Sequence, residues 1–145
     1  MGMFRLYTGP DGQSHIEPID LTRTPGWAKG LATTQIAFRE DPVGRYLDWH
    51  PAPRRQFVII LSGQLEIGLG DGSKHVFGPG DARLVEDTTG QGHTTRVHGT
   101  QPCVTATIPL AQQRRERRRT PRHVSTERRH RGGGGRGDSP GARPR

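Results

Sequence analysis

Hydrophobic residues in the first 110 positions come in short clusters separated by Gly, Pro and Asp. The segments 4–7 (FRLY), 14–19 (SHIEPI), 33–38 (TTQIAF), 57–61 (FVIIL), 64–69 (QLEIGL), 74–77 (KHVF), 82–85 (ARLV), 93–97 (HTTRV) and 103–110 (CVTATIPL) carry most of the β-branched and aromatic side chains. No window repeats apolar residues at i, i+3, i+4 and i+7, so no amphipathic helix is expected. Many short strands broken by turn residues predict an all-β sandwich or barrel. The link Ser62-Gly63 is two residues long and predicts an antiparallel hairpin between 57–61 and 64–69. The unbroken apolar run at 57–61 reads as core along its whole length. In 64–69, Leu65, Ile67 and Leu69 share one face, and Gln64, Glu66 and Gly68 share the other. Gln56 is in phase with Val58 and Ile60, and His93 with Thr95 and Val97.

The pattern stops near Gln112. The remaining stretch, QQRRERRRTPRHVSTERRHRGGGGRGDSPGARPR, has Val124 as its one strongly apolar residue, too little to repay ordering entropy. A disordered basic tail over 111–145 is therefore expected, after a folded domain over 1–110. Charge follows the same division. Of the chain's net +8, the tail holds twelve arginines against three acids, whereas residues 1–110 hold ten Lys and Arg against eleven Asp and Glu. The basicity thus says nothing about the domain. The tail offers at most non-specific contact with nucleic-acid phosphates, steeply weakened by salt. It has no aromatic residue on which bases would stack. A chain ending near Leu110 is expected to melt at nearly the temperature of the full chain, as calorimetry would show. A drop of many degrees would mean that the tail packs on the domain. The Arg136-Gly137-Asp138 triplet reads as chance composition.

Cys103 is the single cysteine, which rules out an internal disulfide and fits a reducing compartment. No apolar stretch approaches the roughly 20 residues of a membrane-spanning helix. The first residues, MGMFRLYTGPDG, lack the basic and long apolar regions of a signal peptide. A cytoplasmic protein without membrane contact is expected.

Two groups of residues carry candidate chemistry. His50, Ala52, Gln56 and Gly63 form one; Gly78-Pro79-Gly80-Asp81, followed by Gly90 and His93, form the other. Their spacing resembles the two motifs of the cupin superfamily. His50 stands in the first His place and Ala52 in the second. Gln56 stands where Glu is usual, Gly63 closes the first motif, and Thr88 occupies a place where Pro is usual. More narrowly, the chain resembles short bacterial single-domain cupins of unassigned activity. The resemblance covers roughly 45–110. It implies a double-stranded β-helix, a small antiparallel jelly-roll barrel whose motif residues point inward at its open end, and a homodimer. It also implies a site for a divalent transition metal such as Fe, Mn, Zn or Ni, here reduced to His50, Gln56 and His93. Losing one imidazole and the carboxylate removes ligands and balancing charge, so a tightly held metal cofactor is not expected.

A barrel of this size has room for one small ligand. His93 and His50 are candidate acid/base groups, because imidazole titrates near neutrality. Gln56, Arg54, Arg55 and Trp49 are candidate ligand-binding residues at the rim. A guanidinium fork suits a carboxylate or phosphate, and alternation along a strand would send one arginine to the mouth and the other to solvent. Glu86-Asp87 reads as a solvated loop pair or as an ion-pair partner of those arginines, and Cys103 and Trp27 as ordinary packing. Three functions follow: a barrel binding a small polar or anionic molecule, a metal-independent isomerase or lyase using His93 or His50, and a metal-dependent dioxygenase.

Overall fold

The computed structural model describes residues 1–112; the expected tail, its disorder and its nucleic-acid contacts lie almost wholly outside the described residues. Ten strands form two facing sheets. In chain order they are β1 (Met3–Thr8), β2 (Ser14–Pro18), β3 (Ala37–Asp41), β4 (Tyr46–His50), β5 (Gln56–Ser62), β6 (Gln64–Gly68), β7 (Lys74–Phe77), β8 (Ala82–Val85), β9 (His93–His98) and β10 (Cys103–Pro109). The larger sheet runs β2-β1-β8-β5-β10-β3 and the smaller β4-β9-β6-β7. All pairings are antiparallel except β1 with β8. This is the all-β jelly roll expected, and the side chains between its sheets form the core. Leu6, Val58 and Ile60 enter from the larger sheet, and Leu65, Ile67, Phe77 and Val97 from the smaller.

The expected hairpin at Ser62-Gly63 does not form. β5 bonds to β8 and β10, whereas β6 bonds to β7 and β9. Only Gly63 lies between the two strands, and a two-residue hairpin turn of the favoured kind needs two central residues, both with φ > 0 in type I′. Gly63 alone has that geometry, at φ +73, and the chain uses it to cross from one sheet to the other. A Cβ there would stand 2.3 Å from the Pro102 carbonyl oxygen, so glycine is required by the close approach as well as by φ.

The apolar run at 57–61 is not uniformly core. Val58 and Ile60 point between the sheets and are buried, while Leu61 is 48% exposed. Phe57 and Ile59 lie on the outer face of the sheet. Phe57 is covered there by Trp27, whose ring meets it edge-on at 5.0 Å. Trp27 belongs to a short helix, α1 (Pro25–Lys29), which begins with Pro at its first turn and ends at Gly30. That helix stands where only a loop was expected.

Two further differences lie at the sheet edges. The strand expected at 33–38 is displaced to β3, leaving Thr33 in an isolated bridge with Leu110. Arg39, Glu40 and Asp41 tolerate strand geometry because β3 is an exposed edge, where charge is favoured. β4 was not expected at all, since Asp48 and His50 interrupt its apolar positions. It pairs with β9 across a register irregularity between Leu47 and His50. At the other limit of the domain, the Ala111 amide bonds to the Ala32 carbonyl, one residue beyond 110. No helix among the described residues is long and apolar enough to cross a membrane.

Candidate functional site

His50 ends β4 and His93 begins β9, and the two residues are cross-strand partners. Their rings lie 4.6 Å apart between centroids, at an interplanar angle of 58°. Gly92 makes that approach possible. It has φ +75, and a Cβ on it would fall 2.0 Å from the His50 carbonyl oxygen. The His50 and His93 side chains therefore meet at one end of the sandwich. The loops 50–55 and 86–92 close against each other there through the Ala52 amide and the Asp87 carbonyl, 2.9 Å apart.

Each imidazole is oriented through Nδ1. His93 Nδ1 lies 2.5 Å from Asp87 Oδ2, which also accepts from Ser14 Oγ at 2.6 Å. His50 Nδ1 lies 2.6 Å from the Asp48 carbonyl oxygen. A carbonyl and an ionised carboxylate only accept, so Nδ1 is the proton-bearing nitrogen of both rings. When the rings are neutral, each keeps an unprotonated Nε2 as its free nitrogen. Asp87 is fully buried and His93 is 4% exposed, so this is an interior network. The solvated reading of Asp87 is thereby corrected: parity places residues 83, 85 and 87 on the inner face, and Asp87 turns inward to His93.

Glu86 behaves as the other half of that expectation. It accepts from Arg55 Nε at 2.9 Å and also pairs with Arg5. Both Arg54 and Arg55 are exposed. Arg54 Nε lies 3.4 Å from Gln56 Oε1. Gln56 itself is half-buried on β5, opposite Val85 on one side and Pro109 on the other. Trp49 is exposed on β4. Ala52 is buried and supplies no ligand atom. Among the described residues, no three His, Cys, Asp or Glu side chains converge as metal ligands.

The residue that sequence reasoning passed over is Arg83. It sits at the centre of the larger sheet, on β8, opposite Val58 of β5, and so points between the sheets. It is 5% exposed, and its Nε and Nη1 are buried without a hydrogen-bond partner. The guanidinium carbon lies 5.1 Å from the Phe77 ring centroid, within cation–π range. Burial pushes its pKa down to about 10, partly offset by Cys103 and Asp87, so it remains charged at neutral pH. Asp87 Oδ1 is likewise buried and unpartnered. Parity would have found the arginine: residue 83 is in phase with Val85 and Asp87 in a segment otherwise fit for a buried strand.

The family model for the cupin domain matches residues 38–109. Among solved structures, the chain is similar to a Rhizobium leguminosarum protein of unknown function, with 24% identity, a TM-score of 0.43, and alignment over 51% of this chain and 66% of that one. It is similar to a cupin domain from Bordetella pertussis, at 17% identity and TM-score 0.41, covering 52% and 79%. It is also similar to the polyketide cyclase RemF from Streptomyces resistomycificus, at 19% identity and TM-score 0.46, covering 74% and 73%. The chain spans just under two thirds of the Rhizobium protein's length. No curated protein matches. The family match runs from β3 to β10 and takes in His50, Gln56, Gly63, the Gly78–Asp81 turn and His93, and by it this chain belongs to the cupin superfamily.

Proposed function

We propose that this cupin binds a small polar or anionic molecule at the end of the barrel where His50 and His93 meet. The observation that carries the reading is the pair of adjacent imidazoles, each fixed through Nδ1 and each left with a free Nε2. Fixed polar groups at the end of an apolar interior are the usual composition of a small-molecule site. Screening metabolites by thermal shift tests it. A hit is expected to lose its stabilising effect in His50→Ala, a variant that removes one ring without touching the Asp87 network. A hit equally effective on that variant would place the ligand elsewhere.

Acid/base catalysis is the second reading, and the Asp87–His93 contact favours it. A buried carboxylate holding Nδ1 fixes the tautomer and stabilises the imidazolium formed when Nε2 takes a proton. An isomerase or lyase of this kind would show a pH–rate limb that disappears in His93→Gln.

The metal reading fits the donor set poorly. His50 and His93 supply two nitrogens and Gln56 a neutral oxygen. Ala52 supplies nothing, and Oδ2 of nearby Asp87 is engaged by His93 and Ser14. Divalent cations are held by more ligands and by balancing charge. Purified protein is expected to carry far less than one Fe, Mn, Zn or Ni per chain by elemental analysis. One retained ion per chain, lost on replacing either histidine, would overturn this expectation.

A further inference from the structure

We infer that Arg83 is the anchor inside the barrel for the carboxylate of a small organic acid that also carries a hydroxyl or ammonium donor. The inference rests on the proposed ligand site and names the chemistry of its occupant.

An arginine 5% exposed, with Nε and Nη1 buried and unpartnered, is an expensive feature. Buried polar groups without partners are rare, and each calls for an occupant such as an ion, a water or a ligand. The carboxylates elsewhere in the domain do not serve. Glu86 faces Arg5 and Arg55 at the surface. Asp81 is held by the Gly2 and Gly78 amides. Asp87 binds His93 and Ser14 through Oδ2 and makes no ion pair with Arg83. The Phe77 face contributes to orienting the guanidinium without satisfying its donors.

Arg83 Nε and Nη1 are donors with nothing to donate to, and a planar carboxylate is the anion a guanidinium fits best. A phosphate dianion would bring a second charge into an interior that already holds Asp87. The orphaned Asp87 Oδ1 supplies the complementary half of the specificity. It is an acceptor with nothing to accept from, so it favours a ligand that carries a donor as well as a carboxylate. Residues 83 and 87 are four positions apart in one segment, and both are buried.

Glycolate, glycine, acetate, phosphate and neutral glycolamide, each at equal ionic strength, are suitable probes. Glycolate or glycine is expected to raise the melting midpoint by about 2 °C even at a concentration equal to its Kd, and by more above it. Acetate should act more weakly. Glycolamide should have no effect, and Arg83→Met should abolish every response to a carboxylate. Equal responses to glycolate and glycolamide, a stronger response to phosphate, or an unchanged response in Arg83→Met would overturn the inference. If Arg83→Met does not fold, the Nε–H resonance of Arg83 in the unmodified protein decides the matter. It should shift on glycolate addition, and a resonance that stays in place refutes the anchor. Metabolites whose effect depends on His50 but not on Arg83 would leave the ligand site standing and remove only the anchor. No response to any compound would remove both.

Discussion

Ile60→Asp is expected to unfold the domain. Ile60 is 1% exposed and lies in the core with Leu6, Val58, Leu65 and Phe77. An aspartate there loses the apolar burial and places an ionised group against the apolar side chains of the core. Changes of this kind belong to the small class costing more than about 4 kcal/mol, and domains of this size are stable by roughly 5–15 kcal/mol. Circular dichroism of the variant should show neither a native near-ultraviolet signal nor a cooperative melt at room temperature. Leu61→Asp, one residue along, is the control. Its side chain is 48% exposed, so its cost should fall near that of an ordinary surface substitution, about 0.5 kcal/mol. A folded, cooperatively melting Ile60→Asp protein would mean that the inner face of β5 is not the core.

That contrast between neighbours shows what the sequence could and could not reveal. Parity within a strand is local, so the shared phases of Val58 with Ile60 and of Leu65 with Ile67 were legible from alternation alone. Strand ends marked by Gly, Pro and Asp were legible for the same reason, and β7 and β8 fall on the segments expected for them. Sheet membership is not local. The link at Gly63 looks like a hairpin turn until Pro102 and Cys103, forty residues away, are seen to crowd it. β3 and β4 were hidden because an edge strand, exposed on much of its surface, needs no apolar alternation. Covering of the outer face by Trp27 was equally invisible, since it depends on where a short loop helix lands.

The site was legible in part. Motif spacing brought His50 and His93 together on the page, and strand pairing brings them together in space. Gln56 lies in the other sheet, and no spacing rule states how far it stands from the two rings. Arg54 and Arg55 drew notice because they are adjacent and charged, yet adjacency to a core strand left both exposed. Arg83 and Asp87 drew less, because a lone arginine in ARLV and an acidic pair in a loop resemble surface residues. Their partners, or lack of them, exist only once the two sheets face each other.

Asp87→Ala should be the most damaging polar substitution. The carboxylate is fully buried and receives hydrogen bonds from His93 and Ser14, residues distant from each other in sequence. Its removal strands both donors and leaves the charge of Arg83 with less to balance it, as Asp87 raises the Arg83 pKa. Breaking one side of a buried charged contact costs about 3–5 kcal/mol, a large share of the domain's stability. His93 is buried, and His93→Ala leaves Asp87 with Ser14 alone, so the alanine variant should also be destabilised. Denaturant melts of Asp87→Ala, His93→Ala and the double variant measure the coupling. An interaction energy of about 0.5–3 kcal/mol is expected, with the double variant less destabilised than the sum of the singles. Ser14→Ala should cost less, about 1.5–3 kcal/mol for one hydrogen bond to a carboxylate that keeps its other partner. Additive single effects, or an Asp87→Ala variant as stable as the unmodified protein, would show that Asp87 and His93 do not act as a unit. In that case the orientation of His93 Nε2, on which acid/base chemistry depends, would have to be set by His50 instead.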